Sequence, residues 1–137
     1  MTNRQKPSKA MHITLWLAQV VLAIVLVWAG TMKLFQPIEK LSAMWPWTGQ
    51  IPVLLVKLSG IVDLIGAIGL ILPALVRIKP QLTPIAALGI IALMVCASIF
   101  HIARGEASSI GVNIAFALIA AFIAWGRLTK APITSVQ

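Results

Sequence analysis

Four apolar runs, each long enough to cross a lipid bilayer, decide what this chain can fold into. The first is Met11–Met32, bounded by Lys9 and Lys33. At ~1.5 Å per residue, roughly 22 helical residues cross a hydrocarbon core of about 30 Å. The second runs from Val53 to Val76 and is closed by Arg77; the third opens at Thr83-Pro84 and reaches Ala103; the fourth covers about 109–126. The runs are continuous rather than alternating, which excludes the strands of a membrane β-barrel. Hydrocarbon offers no hydrogen-bonding partner, so each segment has to satisfy its own backbone as a helix. The fold class is all-α: an integral membrane four-helix bundle in one domain over 1–137, with spans at about 11–32, 53–76, 84–103 and 109–126.

Composition agrees, because a chain that is 60% hydrophobic and 10% charged lacks the charge to cover a soluble domain of this size. Its formal charge of +8 would suggest nucleic acid in a soluble protein. Here the basic residues sit at the ends of apolar runs instead of along one stripe, which fits topology signalling and anionic lipid, and no nucleic-acid partner is expected. Cys96 is the single cysteine, so an intramolecular disulfide or dithiol centre is excluded. Met1–Lys9 resembles the basic start of a signal peptide, but the following run is too long and lacks a small-x-small site. It is read as a retained first helix.

Local signals place the ends. Pro52 suits a first helical turn, Thr83 an N-cap before Pro84 at N1, and Ser108 or Ser109 a cap for the last helix. The longest connection, Leu34–Gln50, carries Trp45-Pro46-Trp47 and is expected to lie along the membrane surface, where tryptophan concentrates. Short links at 77–82 and 104–107 force antiparallel neighbours. Gly60, Gly66 and Gly69 in the second run, and Gly111/Ala115, Ala117/Ala121 and Ala120/Ala124 in the fourth, let helices approach closely.

Asp63 is the most informative residue, since a charge within a span costs roughly 2.5–3.5 kcal/mol. Ser59, Gly60 and Gly66 share its helix face. Counted from the inner ends of the spans, Asp63 and Asn113 lie about 21 Å up, Trp28 about 24 Å and His101 about 25 Å, with Lys33 and Lys57 near 30 Å. These residues define a candidate polar pocket in the outer half, roofed by two cations, in which His101 faces Asp63. The competing reading is structural: a buried Asp–His or Asp–Lys pair holds helices together, Lys33 and Lys57 snorkel to the interface, and Gln19 is an interhelical hydrogen-bond residue. His12 and His101 stand at different depths, which argues against a bis-histidine haem, and no metal site is indicated. No prosthetic group is identified.

Three segments carry a resemblance: Trp28-Ala29-Gly30-Thr31-Met32-Lys33, Lys57 through Leu70 around Asp63, and Ala97-Ser98-Ile99-Phe100-His101. In order and spacing they resemble the DoxX-like family of small four-helix bacterial membrane proteins. Members more often place glutamate at the position of Asp63. The family name derives from a subunit linked to thiosulfate:quinone oxidoreduction, other relatives are associated with oxidative or quinone stress, and some eukaryotic relatives assist receptor assembly. The resemblance implies a multi-pass protein of the bacterial inner membrane, an accessory of redox or quinone metabolism whose pocket takes a quinone-like molecule. The alternative is a non-enzymatic membrane scaffold or assembly chaperone. The expected partners are the lipid bilayer, a membrane or periplasmic redox protein, and a further copy of the chain.

Orientation follows from Lys and Arg. Arg4, Lys6, Lys9, Arg77, Lys79, Arg127 and Lys130 fall on one side; Lys33, Lys40, Lys57 and Arg104 fall on the other. The more basic side stays inside, so both termini are expected in the cytoplasm. A reporter that folds only in the cytoplasm should be active at either terminus, and one that needs export should work in Leu34–Gln50; the reverse pattern would overturn this topology.

Overall fold

The computed structural model describes residues 8–136, so Arg4 and Lys6 lie outside the described part. The main helices are α1 (Lys9–Phe35), α2 (Ile38–Met44), α3 (Val53–Val76), α4 (Leu82–Ala103) and α5 (Gly111–Trp125). A 3-10 turn at Ala107–Ile110 leads into α5, and a π-helical turn at Gly126–Lys130 prolongs it. Four segments, α1, α3, α4 and Ala107–Lys130, are long and apolar enough to cross a membrane.

α1 packs on α3, α3 on α4, α4 on α5, and α5 returns to α1, closing a ring of four. Leu22, Leu26, Leu70, Ile90 and Ile123 fill its centre. Equally apolar side chains, including Ile24, Leu54, Ile65, Ile99 and Leu118, point outward and are exposed. That surface suits lipid rather than water. The start of α1 and the turn that prolongs α5 lie at one end of the bundle, where His12 meets Arg127. The other end carries α2 and the α4–α5 turn. These are called the terminal end and the loop end below.

Span limits differ from expectation mainly at the caps. The second span is Val53–Val76, as expected, with Pro52 in the N-cap position. α1 begins earlier, at Lys9, because the Ser8 hydroxyl accepts the Met11 N–H at 3.0 Å. Neither Ser108 nor Ser109 caps the last span, whose 3-10 turn and helix both start without a side-chain cap. Of the small-residue pairs in that span, Ala120/Ala124 is buried, whereas Gly111, Ala115 and Ala121 face outward. In α3 the added Cβ of an alanine at Gly69 would stand 2.6 Å from Ala86 Cβ, so the α3–α4 contact does depend on glycine.

Thr83 does not act as the cap of α4 either. The helix starts at Leu82, and the Thr83 hydroxyl donates to the Gly69 carbonyl of α3 at 2.9 Å. Pro73 inside α3 explains why. Its missing N–H leaves the carbonyl four residues back, that of Gly69, without its helical donor. Next to it, the Leu70 carbonyl receives Gln19 Nε2–H at 2.6 Å, which confirms Gln19 as an interhelical residue. A freed acceptor among apolar helices has no water to turn to, whereas a helix-end amide does. Thr83→Val should therefore lower stability by about 1 kcal/mol. The loss should shrink in a Pro73→Ala background, where residue 73 regains an N–H for Gly69; equal losses in both backgrounds, measured by detergent unfolding, would contradict this account.

Candidate functional site

Two matching sequences meet at the loop end: Gly30-x-x-Lys33 on α1 and Gly60-x-x-Asp63 on α3. A Cβ on Gly30 would come within 2.7 Å of the Gly60 carbonyl oxygen, and one on Gly60 within 2.9 Å of Lys33 Cβ. The helices touch backbone to backbone here, so Lys33 starts against Gly60 and its stem runs one turn along α3. Its Nζ reaches Asp63 Oδ2 at 2.8 Å. Asp63 is only 4% exposed, so this contact neutralises a carboxylate that water barely reaches.

Lys57 takes a different role from the roofing cation that depth counting suggests. It is exposed, and its Nζ donates to the Leu34 carbonyl at 2.9 Å. It thereby satisfies one of the unpaired carbonyls at the C-terminal end of α1, a position that favours a cation.

Trp45 and Trp47 roof the ion pair. The connection between α1 and α3 does not merely lie on the membrane surface: it folds onto the bundle end as α2 and a 3-10 turn at Pro46–Gly49. Leu41 and Thr48 anchor it as fully buried side chains, with the Thr48 hydroxyl donating to the Trp45 carbonyl at 2.7 Å. Lys33 Nζ stands 6.0 Å from the Trp45 ring centroid and 5.6 Å from that of Trp47, within cation–π range. Trp28, half exposed, meets Trp45 edge-on at 5.5 Å. On the far side Trp47 lies against Phe100 and His101, with centroids 6.2 and 6.3 Å away.

His101 does not pair with Asp63. Its Nδ1 lies 3.5 Å from Glu106 Oε1, which also accepts Arg104 Nε–H at 2.7 Å. The sharp turn after α4 brings Glu106 back, its N–H donating to the His101 carbonyl at 2.8 Å. The Arg104 hydrogen bond, followed by the contact with His101, holds the Glu106 carboxyl below the usual glutamate range. Height along a helix and direction around it are separate variables, and depth counting addresses only the first. Asn113, half-buried on α5, enters none of the polar contacts of Lys33, Asp63 or His101. The structure thus joins Lys33 to Asp63 under Trp45 and Trp47, brings Trp28 and His101 to the edge of that roof, and leaves Asn113 and Lys57 outside it. Trp45 and Trp47 were legible as interfacial tryptophans but not as site residues.

Residues 17–123 match a family model described as the DoxX-like family. The comparisons with curated proteins and with solved structures return no match. The matched segment holds Trp28, Lys33, Trp45, Trp47, Asp63, His101 and Glu106.

The geometry separates two double-mutant cycles. Lys33→Ala and Asp63→Ala should be non-additive by about 1 kcal/mol or more, because either alone strands a buried charge. His101→Ala and Asp63→Ala should add within about 0.5 kcal/mol. Gly60→Ala should destabilise by about 1–3 kcal/mol through overpacking. Coupling of Asp63 to His101 in place of Lys33, read from detergent unfolding, would refute this arrangement.

Proposed function

The chain belongs to the DoxX-like family, and from that premise we propose that this multi-pass membrane protein is an accessory of redox or quinone metabolism in the bacterial inner membrane. Its site is the Lys33–Asp63 pair beneath Trp45 and Trp47, and its ligand is a quinone-like, flat amphipathic molecule. The observation that carries this is the ammonium of Lys33, held at 2.8 Å by a buried carboxylate while facing two indole rings.

The chemistry suits a carbonyl-bearing ring. An ammonium has three N–H donors, and one is taken by Asp63. Another can donate to a quinone oxygen, stabilising negative charge that grows there on reduction. Trp45 and Trp47 offer flat faces for stacking, and entry requires the segment of α2 and Pro46–Gly49 to shift so that the ligand takes the place now held by an indole. Asp63 supplies the counter-charge and an acceptor for a proton released at Lys33. Electrons come from a membrane or periplasmic redox partner; the part of this chain is to bind, orient and hold a proton. With the terminal end in the cytoplasm, as its basic residues favour, the site faces the periplasmic half of the membrane.

Titration with a short-chain quinone such as menadione should quench tryptophan fluorescence saturably and raise thermal stability. Both effects should vanish in Lys33→Met. A quench that never saturates and is equal in Lys33→Met counts against the proposal, as does unchanged stability. A stable protein partner that co-purifies without any small molecule would instead support the scaffold or assembly role.

A further inference from the structure

The terminal end buries a second cation, and there nothing among the described residues neutralises it. Gln19 and His12 lie two turns apart on one face of α1. The π-helical turn that prolongs α5 is closed by Ala131 N–H donating to the Gly126 carbonyl at 2.7 Å. Arg127, within that turn, is 3% exposed. Its Nε donates to Gln19 Oε1 at 2.7 Å, and its Nη1 reaches the Ala131 carbonyl and His12 Nδ1, both at 3.0 Å. Trp16 covers the guanidinium at 5.6 Å. Nη2 is buried and has no hydrogen-bond partner among the described residues.

All of these contacts are to neutral atoms or to a histidine nitrogen. The chain has three carboxylate side chains, Glu39, Asp63 and Glu106. Asp63 and Glu106 are paired at the loop end, and Glu39 belongs to α2 there. A guanidinium stays charged at any accessible pH, and leaving it buried without an anion is costly. One cavity borders it and a second borders its neighbours His12 and Trp16. One of about 300 Å³ is bordered by Arg127 itself with Pro80, Pro84, Leu128, Pro132 and Ile133. The other, of about 430 Å³, is bordered by His12, Trp16 and Arg77 and shares Pro132 and Ile133. The strap between them is the tail after Ala131, pinned where Val136 N–H donates to the Arg77 carbonyl at 2.7 Å and Arg77 Nε–H to the Thr134 carbonyl at 2.8 Å.

We propose that Arg127 is the centre of an anion site that takes a phosphate oxyanion, supplied by the headgroup of an acidic phospholipid. A phosphate oxygen would accept a charge-assisted hydrogen bond from Nη2–H, which finds no partner among the described residues. The proline, leucine and isoleucine walls suit the glycerol and upper acyl segments. Arg77, Lys79 and Lys130 add positive potential at the same end, which favours an anionic head and disfavours one that carries its own cation. His12 and Arg127 both fall outside the 17–123 family match, and the site is independent of the one at the loop end.

The full chain in neutral detergent is the material for the test, with phosphatidylglycerol, phosphatidylcholine or inorganic phosphate added. Phosphatidylglycerol should raise the unfolding temperature by at least about 3 °C more than phosphatidylcholine. Arg127→Gln should abolish that difference, and Lys40→Gln, an exposed cation of α2 at the loop end, should keep it. An equal, Arg127-dependent shift with inorganic phosphate alone would retain the oxyanion site and assign it to soluble phosphate. No preference for any of the three in the unmodified chain, or an undiminished preference in Arg127→Gln, overturns the proposal. If Arg127→Gln fails to fold, native mass spectrometry of the unmodified chain and Arg127→Lys decides. Selective retention of phosphatidylglycerol, weaker in Arg127→Lys, supports the site; equal retention of both lipids refutes it.

Discussion

Two charges within the span region are tolerated at the loop end because Gly30 and Gly60 let α1 and α3 touch. An isolated charge at that level costs roughly 2.5–3.5 kcal/mol; the same charge within hydrogen-bond distance of its opposite does not have to be carried alone. The separation of 2.8 Å between Lys33 and Asp63 is therefore a constraint on the backbone as much as a contact between side chains. It requires Lys33 to begin against α3, which requires Gly60 to lack a Cβ. Trp45 and Trp47 then cover what remains of the ammonium, and Leu41 and Thr48 hold that cover in place. The pair, the glycines and the aromatic roof form one mechanical unit.

The terminal end meets the same electrostatic problem with a different solution. Arg127 is surrounded by a glutamine, a histidine, a carbonyl and an indole, none of which is an anion. Gln19 is the hinge of this arrangement, because its amide also satisfies the Leu70 carbonyl near Pro73. The carbonyls near Pro73 in α3 and the buried guanidinium from the last span are thus joined through one side chain of α1. The bundle holds one site whose charges are matched internally and one whose charge meets no anion among the described residues.

Much of this was legible in the sequence, for identifiable reasons. The span Val53–Val76 could be read to the residue because Pro52 and Arg77 mark its ends and apolar length does the rest. Asp63 stood out through the cost of a charge in lipid, and Gln19 through the same logic for a polar amide. Thr83 misled because a Thr-Pro pair signals a helix start, while the stronger demand came from Pro73, ten residues earlier and on another helix. His101 misled because its height matched that of Asp63, and nothing local reported that the turn to Glu106 would claim the ring. Lys33 reads from the sequence as a cation above Asp63, and an Asp–Lys pair as the structural alternative; the missing information was the closeness of two glycines far apart in sequence, which selects that pair. Arg127 follows an apolar run and reads from the sequence only as one of the basic residues that orient the chain. The clue was available, since His12 and Gln19 share a face of α1 at the same end, but only the closed ring of helices brings them to it.

The pairing of Lys33 with Asp63 can be observed directly, because Asp63 is the sole aspartate of the chain. Protein grown with carboxyl-¹³C aspartate and side-chain ¹⁵N lysine, reconstituted in lipid, carries a single aspartate reporter for a dipolar-dephasing measurement by solid-state NMR. The account predicts strong dephasing of the Asp63 carboxyl by a lysine Nζ, lost in Lys33→Met and retained in Lys57→Met and His101→Ala. A carboxyl that shows no lysine contact in the unmodified protein, or whose contact survives the loss of Lys33, would contradict it.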